Sequence, residues 1–415
     1  MSGPILVVNA AFRSMRYYVF DAQRKDPLVR GRVSGIGGEE GEIEISYGAE
    51  THITEKPIPD HEAAVAGILR AVALHAPQVA GIVAVAHRVA HGGDVFSGPA
   101  VVTPEVLAAI SDLSPLAPEH NAKAVVVIRA AQRLLPDAAQ VAVFDTAFFT
   151  DLPPGAATYA LPLELSERLR IRKYGFHGLT HRYVSERASL LLGRHDLKQI
   201  VCYMGNSSSV AAVDAGHPVD VSTGFTTLEG LPMRTRSGSI DPGIHRYVME
   251  RTGMSIVEFE RLLNEESGML GLAGSSDVWE VWDRADQGDA RATLAIEVCV
   301  HRLVACISAF HGVLGGAQAI SFTGALGEQD VRLRKAVCDR LACFGVEIDK
   351  GVNAKTHGSI RSRIISTSHS AITVLTIQQR EHYAMARDAA VALGWKRPPL
   401  AGLLSPPQTG DMPTG

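Results

Sequence analysis

The sequence predicts an α/β fold of two related domains around a cleft, and two observations carry that expectation. Short apolar, β-branched runs alternate with longer helical stretches, the pattern of layered sheets and helices. A strand, polar turn, strand unit also occurs twice. The strand runs are residues 5–8, 81–86, 141–144, 200–203, 319–322 and 372–377. The helical stretches are residues 62–75, 122–135, 180–192, 256–265, 290–314 and 331–343. In the first hairpin Ile5, Leu6, Val7 and Val8 run into Asn9, a short polar stretch follows, and Tyr17 to Phe20 return. In the second, Ile200 to Met204 run into Gly205 and Asn206, three serines follow, and Val210 to Val213 return. So long a period excludes a solenoid and suggests duplicated domains. Pro153, Pro154 and Gly155 mark a crossing, giving a first domain over residues 1–150 and a second over 151–382. From Lys396 the chain turns rich in Pro, Gly and Ser, and residues 396–415 are expected to form a flexible tail.

Composition narrows the class. Hydrophobic residues make up 46% of the 415 and charged residues 20%, the mixture of a soluble globular chain. A net charge of -4 predicts no partnership with nucleic acid, which needs a clustered basic excess, or with an anionic membrane. Met1-Ser2-Gly3-Pro4 lacks the basic and apolar regions of a secretory leader, so none is expected. The five cysteines are odd in number and include no Cys-x-x-Cys pair, which predicts free thiols and a cytoplasmic location.

Several segments carry residues fit for chemistry. Residues 81–93 begin as a buried strand and end in His87, Arg88, His91, Gly92 and Gly93. Ligands of open α/β sheets gather beyond strand carboxyl ends, and the Arg88 fork suits a carboxylate or phosphate, or a structural ion pair. The run 141–144 delivers Asp145, which must pair with an arginine, work in a site or cap a helix. His177 stands between Gly175 and Gly178 just before a helix, where an anion can approach, although a lone histidine can also be structural. Arg234 and Arg236 share a turn-rich loop, as binding residues or as a solvated pair. Residues 319–328 read as a strand and a glycine-bearing turn of the kind that cradles phosphate; no Walker motif occurs.

Taken in order, these segments resemble the acetate kinase family, within the actin, sugar-kinase and heat-shock ATPase superfamily. The resemblance covers residues 5–388. It rests on His87-Arg88-Val89-Ala90-His91-Gly92-Gly93, Leu116-Ala117-Pro118-Glu119-His120-Asn121, Phe144-Asp145-Thr146-Ala147-Phe148, Tyr174-Gly175-Phe176-His177-Gly178, Gly224-Phe225-Thr226 and Thr235-Arg236-Ser237-Gly238. It implies two actin-like (ribonuclease H-like) domains, a last helix at 383–395 packing back on the first, and a homodimer. It also implies reversible phosphoryl transfer from ATP to a small carboxylate such as acetate, with Mg2+. Arg88 would bind the carboxylate or the transferring group, Arg236 and His177 would stabilise its equatorial oxygens, and Asp145 would orient the attacking groups or hold Arg88. Ala90, Glu119, His120, Phe176 and Thr227 would line the acid pocket, and Asn9 and Glu381 would contact the metal. Arg16, Tyr203, Gly205, Asn206, Ser207, Asp277, Trp279, Ala325, Gly327, Glu328 and Gln329 would contact the nucleotide.

This chain departs from the family pattern in places. The first turn, Asn-Ala-Gly-Ser-Ser-Ser-x-Lys in the family, is here Asn9-Ala10-Ala11-Phe12-Arg13-Ser14-Met15-Arg16. In the second turn Tyr203 and Ser207 replace a histidine and a glycine, and Trp279 stands for an arginine. Of the family's Val, Leu, Phe and Pro acid pocket only Phe176 is retained. Ala90 for valine enlarges the pocket, worth about 1–3 kcal/mol of selectivity between neighbouring acyl chains. Propionate or a more polar acid as acceptor, pyrophosphate as donor, and a catalytically silent nucleotide-binding protein are therefore the alternatives.

Overall fold

The sheet of the first unit starts as an antiparallel meander: β1 (Pro4–Ala10), β2 (Ser14–Asp21), β3 (Val29–Ser34), β4 (Glu42–Tyr47) and β5 (Glu50–Glu55). It continues through β6 (Ala84–Val89), β7 (Ala100–Val101) and β8 (Ala139–Phe144), in the order β5-β4-β3-β2-β1-β6-β8-β7. The protein is seen in a computed structural model that describes residues 3–11, 13–21, 26–355 and 362–395 and, of Glu119, the backbone alone. The expectations for Phe12, the Glu119 side chain and the tail 396–415 lie outside the described residues. β1 is central because Ile5, Leu6, Val7 and Val8 are all buried, with neighbours on both edges and both faces covered. β6 and β8 run parallel to β1, each reached through a helix, His61–His75 and Pro118–Leu134. The first of these helices begins where Asp60 accepts from the Ala63 N–H at 2.7 Å, and it packs Ala64, Val65, Ile68 and Val72 on the sheet. The C-terminal helix Glu381–Ala392 belongs to this unit: His382 stacks on Tyr18 at 4.1 Å, and Arg380 pairs with Asp26 at 3.0 Å.

The second unit spans Phe148–Ser189 and Arg194–Gln379; the rest of the chain, including Leu190–Gly193, counts with the first. Its strands are β9 (Lys198–Met204), β10 (Ser208–Asp214), β11 (His217–Val221), β12 (Ala319–Thr323), β13 (Arg363–Ile364) and β14 (Thr373–Thr376), ordered β11-β10-β9-β12-β14-β13. The first three pair antiparallel, and β12 and β14 run parallel to β9. Strands β3-β2-β1-β6-β8 have the same order and the same directions, so the repeated hairpin is the visible part of a repeated five-stranded motif. The helix Ala290–Val313 is long and apolar enough to cross a membrane. Its residues Ala292, Ala295, Ile296, Val300, Leu303, Ile307 and Phe310, at helical spacing, instead fill the core beneath β9 and β12.

Three details differ from expectation. The strand expected at 81–86 is β6, Ala84–Val89, because pairing with β1 and β8 carries it past the apolar run to Arg88. The glycine-bearing turn after β12 is a six-residue helix, Gly324–Gln329. β3, β4 and β5 were not foreseen; β4 does alternate, burying Ile43 and Ile45, but Gly31 interrupts β3 and β5 has no buried side chain. All five cysteines are free and belong to the second unit. Burial raises the Cys299, Cys306 and Cys338 thiols to about 12 and the Cys202 thiol well above its usual range, whereas Cys343 is exposed.

Candidate active site

In the first unit, the carboxyl ends of β1, β6 and β8 deliver Asn9, Arg88 and Asp145, and the start of the C-terminal helix adds Glu381. Arg88 Nε donates to Asp145 Oδ1 at 3.1 Å while Nη2 bonds the second oxygen, a bidentate grip. Arg88 Nη1 donates to Asn9 Oδ1 at 3.3 Å, and Glu381 Oε1 lies 3.0 Å from Arg88 Nε. The Asp145 side chain is 2% exposed, that of Arg88 21% and that of Glu381 17%, so one carboxylate is sealed below the guanidinium while solvent reaches its outer side. Asp145 pairs with an arginine, one of the readings open for it.

The neighbouring motifs set this geometry. Asn121 accepts from the His91 N–H at 3.1 Å and donates to the His91 carbonyl at 2.9 Å, so the helix Pro118–Leu134 clamps the turn after β6. Thr146 accepts from the Gly92 N–H at 2.8 Å. His87 is buried against Gln140 at 2.8 Å, and desolvation lowers its pKa to about 4, as it does for His91; both are neutral, structural imidazoles. Ala90 and His120 belong to this unit, His120 exposed on its helix. Arg16, on β2 opposite Asn9, is also exposed.

Asn9 and Glu381 carry oxygen donors of the kind a magnesium ion prefers. Asn9 Nδ2 donates to Glu381 Oε1 at 3.4 Å and Asn9 Oδ1 accepts from Arg88 Nη1 at 3.3 Å, so the two side chains stand together beside the guanidinium. Among the described residues no group of three or more His, Cys, Asp and Glu could hold a metal, so phosphate oxygens and waters would complete such a shell.

In the second unit the hairpin turn of β9 and β10 faces His177. The Gly205 N–H donates to the Ser207 carbonyl at 3.0 Å, Ser207 Oγ lies 2.9 Å from His177 Nε2, and the Tyr203 ring sits 4.6 Å from the imidazole. His177 adopts φ +60°, costly for a residue with a Cβ. Its neighbour Gly175, at φ +73°, could not be anything larger: a Cβ there would lie 2.6 Å from Phe149. Phe176 is buried, its N–H bound to Thr223 at 3.0 Å, and Thr227 sits half-buried in the following turn.

Arg234 bonds Asn206 at 2.8 Å and the Ser276 carbonyl at 2.7 Å, tying the hairpin to the segment before Asp277. Asp277 caps the helix Val278–Asp286, accepting from the Trp279 and Glu280 N–H groups at 2.9 and 3.3 Å. Trp279 is exposed. Ala325, Gly327, Glu328 and Gln329 lie together on the short helix after β12. Glu328 Oε1 accepts from the Gly324 and Gln379 N–H groups at 3.0 and 2.8 Å, and burial raises its pKa. Arg236 is half-buried, Nη1 against Met233 Sδ at 3.8 Å, in a loop pinned by Ser237 N–H to Leu263 and Ser267 N–H to Thr235, both at 2.9 Å.

The residues not foreseen are Asn121 and Thr146 as backbone clamps and Ser209 with His181 behind His177; Arg234, foreseen as a binding residue or half of a solvated pair, is found tethering the hairpin. The motif containing Asn121 was a signal; Ser209 offered none beyond standing third in a serine run.

A cation gripped by carboxylates stands at parallel-strand ends in one unit, and a small-residue hairpin faces a histidine at a helix start in the other, arrangements of the kind a phosphotransferase needs to meet anions. The acetokinase family profile matches residues 4–387. An acetate kinase of Leifsonia xyli subsp. xyli is 43% identical over 94% of this chain and 99% of its own length, and one of Thermotoga maritima is 41% identical over 92% and 97%. The crystal structure of Porphyromonas gingivalis acetate kinase matches with TM-score 0.88 at 36% identity, covering 94% of this chain and all of that one. A propionate kinase from Francisella tularensis matches with TM-score 0.89 at 33% identity, over 94% and 99%. This chain belongs to the acetokinase family, ATP-using phosphotransferases whose acceptor is a carboxyl group.

Proposed function

We propose that this protein is an acetate kinase, moving a phosphoryl group reversibly between ATP and acetate. The observation that carries it is Arg88, held by Asp145, Asn9 and Glu381 with its outer side toward solvent. The bidentate grip of Asp145 fixes the plane of the guanidinium before an anion arrives, so little entropy is lost on binding. Acetate is already ionised near neutral pH, so no strong general base is needed. The remaining task is to position two anions and neutralise charge on the phosphoryl group in flight. Arg88 orients the carboxylate, and Arg236 and His177 stabilise the equatorial oxygens. Asn9 and Glu381 would hold Mg2+, which when bound offsets phosphate charge. Tyr203 to Ser207, Asp277 to Trp279 and Ala325 to Gln329 contact the nucleotide, Trp279 by stacking. Ala90, Glu119, His120, Phe176 and Thr227 line the acid pocket. A cytoplasmic homodimer completes the reading: the thiols are free, and the helix Ala290–Val313 leaves Leu294 and Val313 exposed.

Trapping the acyl phosphate with hydroxylamine tests the proposal, with acetate, propionate and a polar acid offered against ATP and pyrophosphate. Acetate with ATP as the best pair supports it. Equal or better turnover of propionate would favour the second reading, which Ala90 and the likeness to a propionate kinase motivate. Nucleotide binding without acyl phosphate from any acid would leave a silent binding protein.

A further inference from the structure

His177 lies in a line of four side chains. Its Nδ1 is 2.9 Å from Ser209 Oγ, and Ser209 Oγ is 2.7 Å from His181 Nε2; on the other side Ser207 Oγ is 2.9 Å from His177 Nε2. The His181 N–H donates to the His177 carbonyl at 2.9 Å, so one turn of helix sets both rings on the face toward Ser209. Ser209 and His181 are fully buried.

We propose that Ser209 and His181 are positioning residues that fix His177 as the Nε2–H tautomer, so that it offers a neutral hydrogen-bond donor to the phosphoryl group. Among the described residues no protein group reaches His181 Nδ1. A buried N–H without a partner is rarer and costlier than a buried acceptor without one. The single proton of neutral His181 therefore sits on Nε2 and is donated to Ser209 Oγ. Its neutrality follows from desolvation, which lowers its pKa to about 3. Ser209, accepting from His181, donates its own hydroxyl proton to His177 Nδ1. His177 Nδ1 is then an acceptor, and the ring proton must be on Nε2, donated at rest to Ser207 Oγ. An arriving phosphoryl oxygen takes that bond over. The φ of +60° is the strain accepted to hold the ring in this line.

The inference rests on His177 acting in the transfer, but its first test does not. In full-length protein labelled with 15N-histidine, the long-range imidazole couplings report each tautomer, with His177 assigned by loss of its signals in His177→Gln. The expected result near neutral pH is an unprotonated Nδ1 and a protonated Nε2, unchanged in Ser207→Gly and mixed in Ser209→Ala. A protonated Nδ1 in the wild type would overturn the proposal whether or not the protein makes acyl phosphate. In the kinase assay Ser209→Ala should lose about 10- to 100-fold in kcat, the usual loss when a hydrogen-bond partner that orients a working imidazole is removed, with KM for ATP and acetate within about twofold. His181→Gln, whose amide can still donate to Ser209, should retain most activity, and His181→Leu should not. Equal losses in those two variants, both folded by circular dichroism, would also overturn it.

Discussion

Arg88 and Asp145 depend on each other. Asp145 is sealed from water and would be an uncompensated charge without the guanidinium, and Glu381 leans on the same cation. Removing one partner of a buried pair costs about 3–5 kcal/mol, much more than the pair itself contributes. Arg88→Met should therefore lower unfolding stability by about 3 kcal/mol in urea, and Arg88→Met with Asp145→Asn should recover more than half of it. No recovery would mean that Arg88 stabilises through packing. Arg236 is a different case, with Nη1 3.8 Å from the Met233 sulfur. If it meets the phosphoryl group in flight, Arg236→Ala cuts turnover by about three to five orders of magnitude. A loss below tenfold with the fold intact would strike it from the mechanism.

Among the elements, the hairpins and the cap of one helix carry the nucleotide question. Asp277 Oδ1 accepts from two N–H groups of the helix Val278–Asp286. Asp277→Ala should cost about 1 kcal/mol of stability; Asp277→Ser should restore it. If ATP affinity, measured by calorimetry, falls in Ala but not in Ser, the carboxylate serves the nucleotide through the helix and not by touch. The central strands were legible because burial on both faces leaves unbroken apolar runs, as in Ile5 to Val8 and Ile200 to Tyr203. The outer strands β3 to β5 were not, since a half-exposed meander such as Glu50–Glu55 differs little from a loop in composition. The site residues on strand ends, Asn9, Arg88 and Asp145, could be read because an apolar run stops at a polar residue there. Ser209 and His181 could not, because their link joins a strand to a helix 28 residues away and only folding brings them together.

At the scale of the whole molecule, four imidazoles among the described residues are held neutral by burial: His87 and His91 with pKa about 4, His181 and His382 about 3, against 6.5 when free. Between those values the unfolded chain binds protons that the folded chain refuses, so stability is full above pH 6.5 and declines as pH falls toward 4. Each such histidine steepens the decline by about 1.4 kcal/mol per pH unit. The urea midpoint should drop markedly between pH 7.5 and 5.0, and less so in His87→Gln if that position tolerates the change; a flat profile would refute the assignment of neutral rings. The placement of sulfur has a separate use. Every cysteine lies in the second unit, and Cys343 alone is exposed. A thiol-reactive dye should label Cys343 first in the native protein, the half-buried Cys299 and Cys306 more slowly, and the buried Cys202 and Cys338 only as that unit opens, with no signal from the first unit. The chain thus carries a built-in clock for half of its own unfolding, one that can be read without engineering.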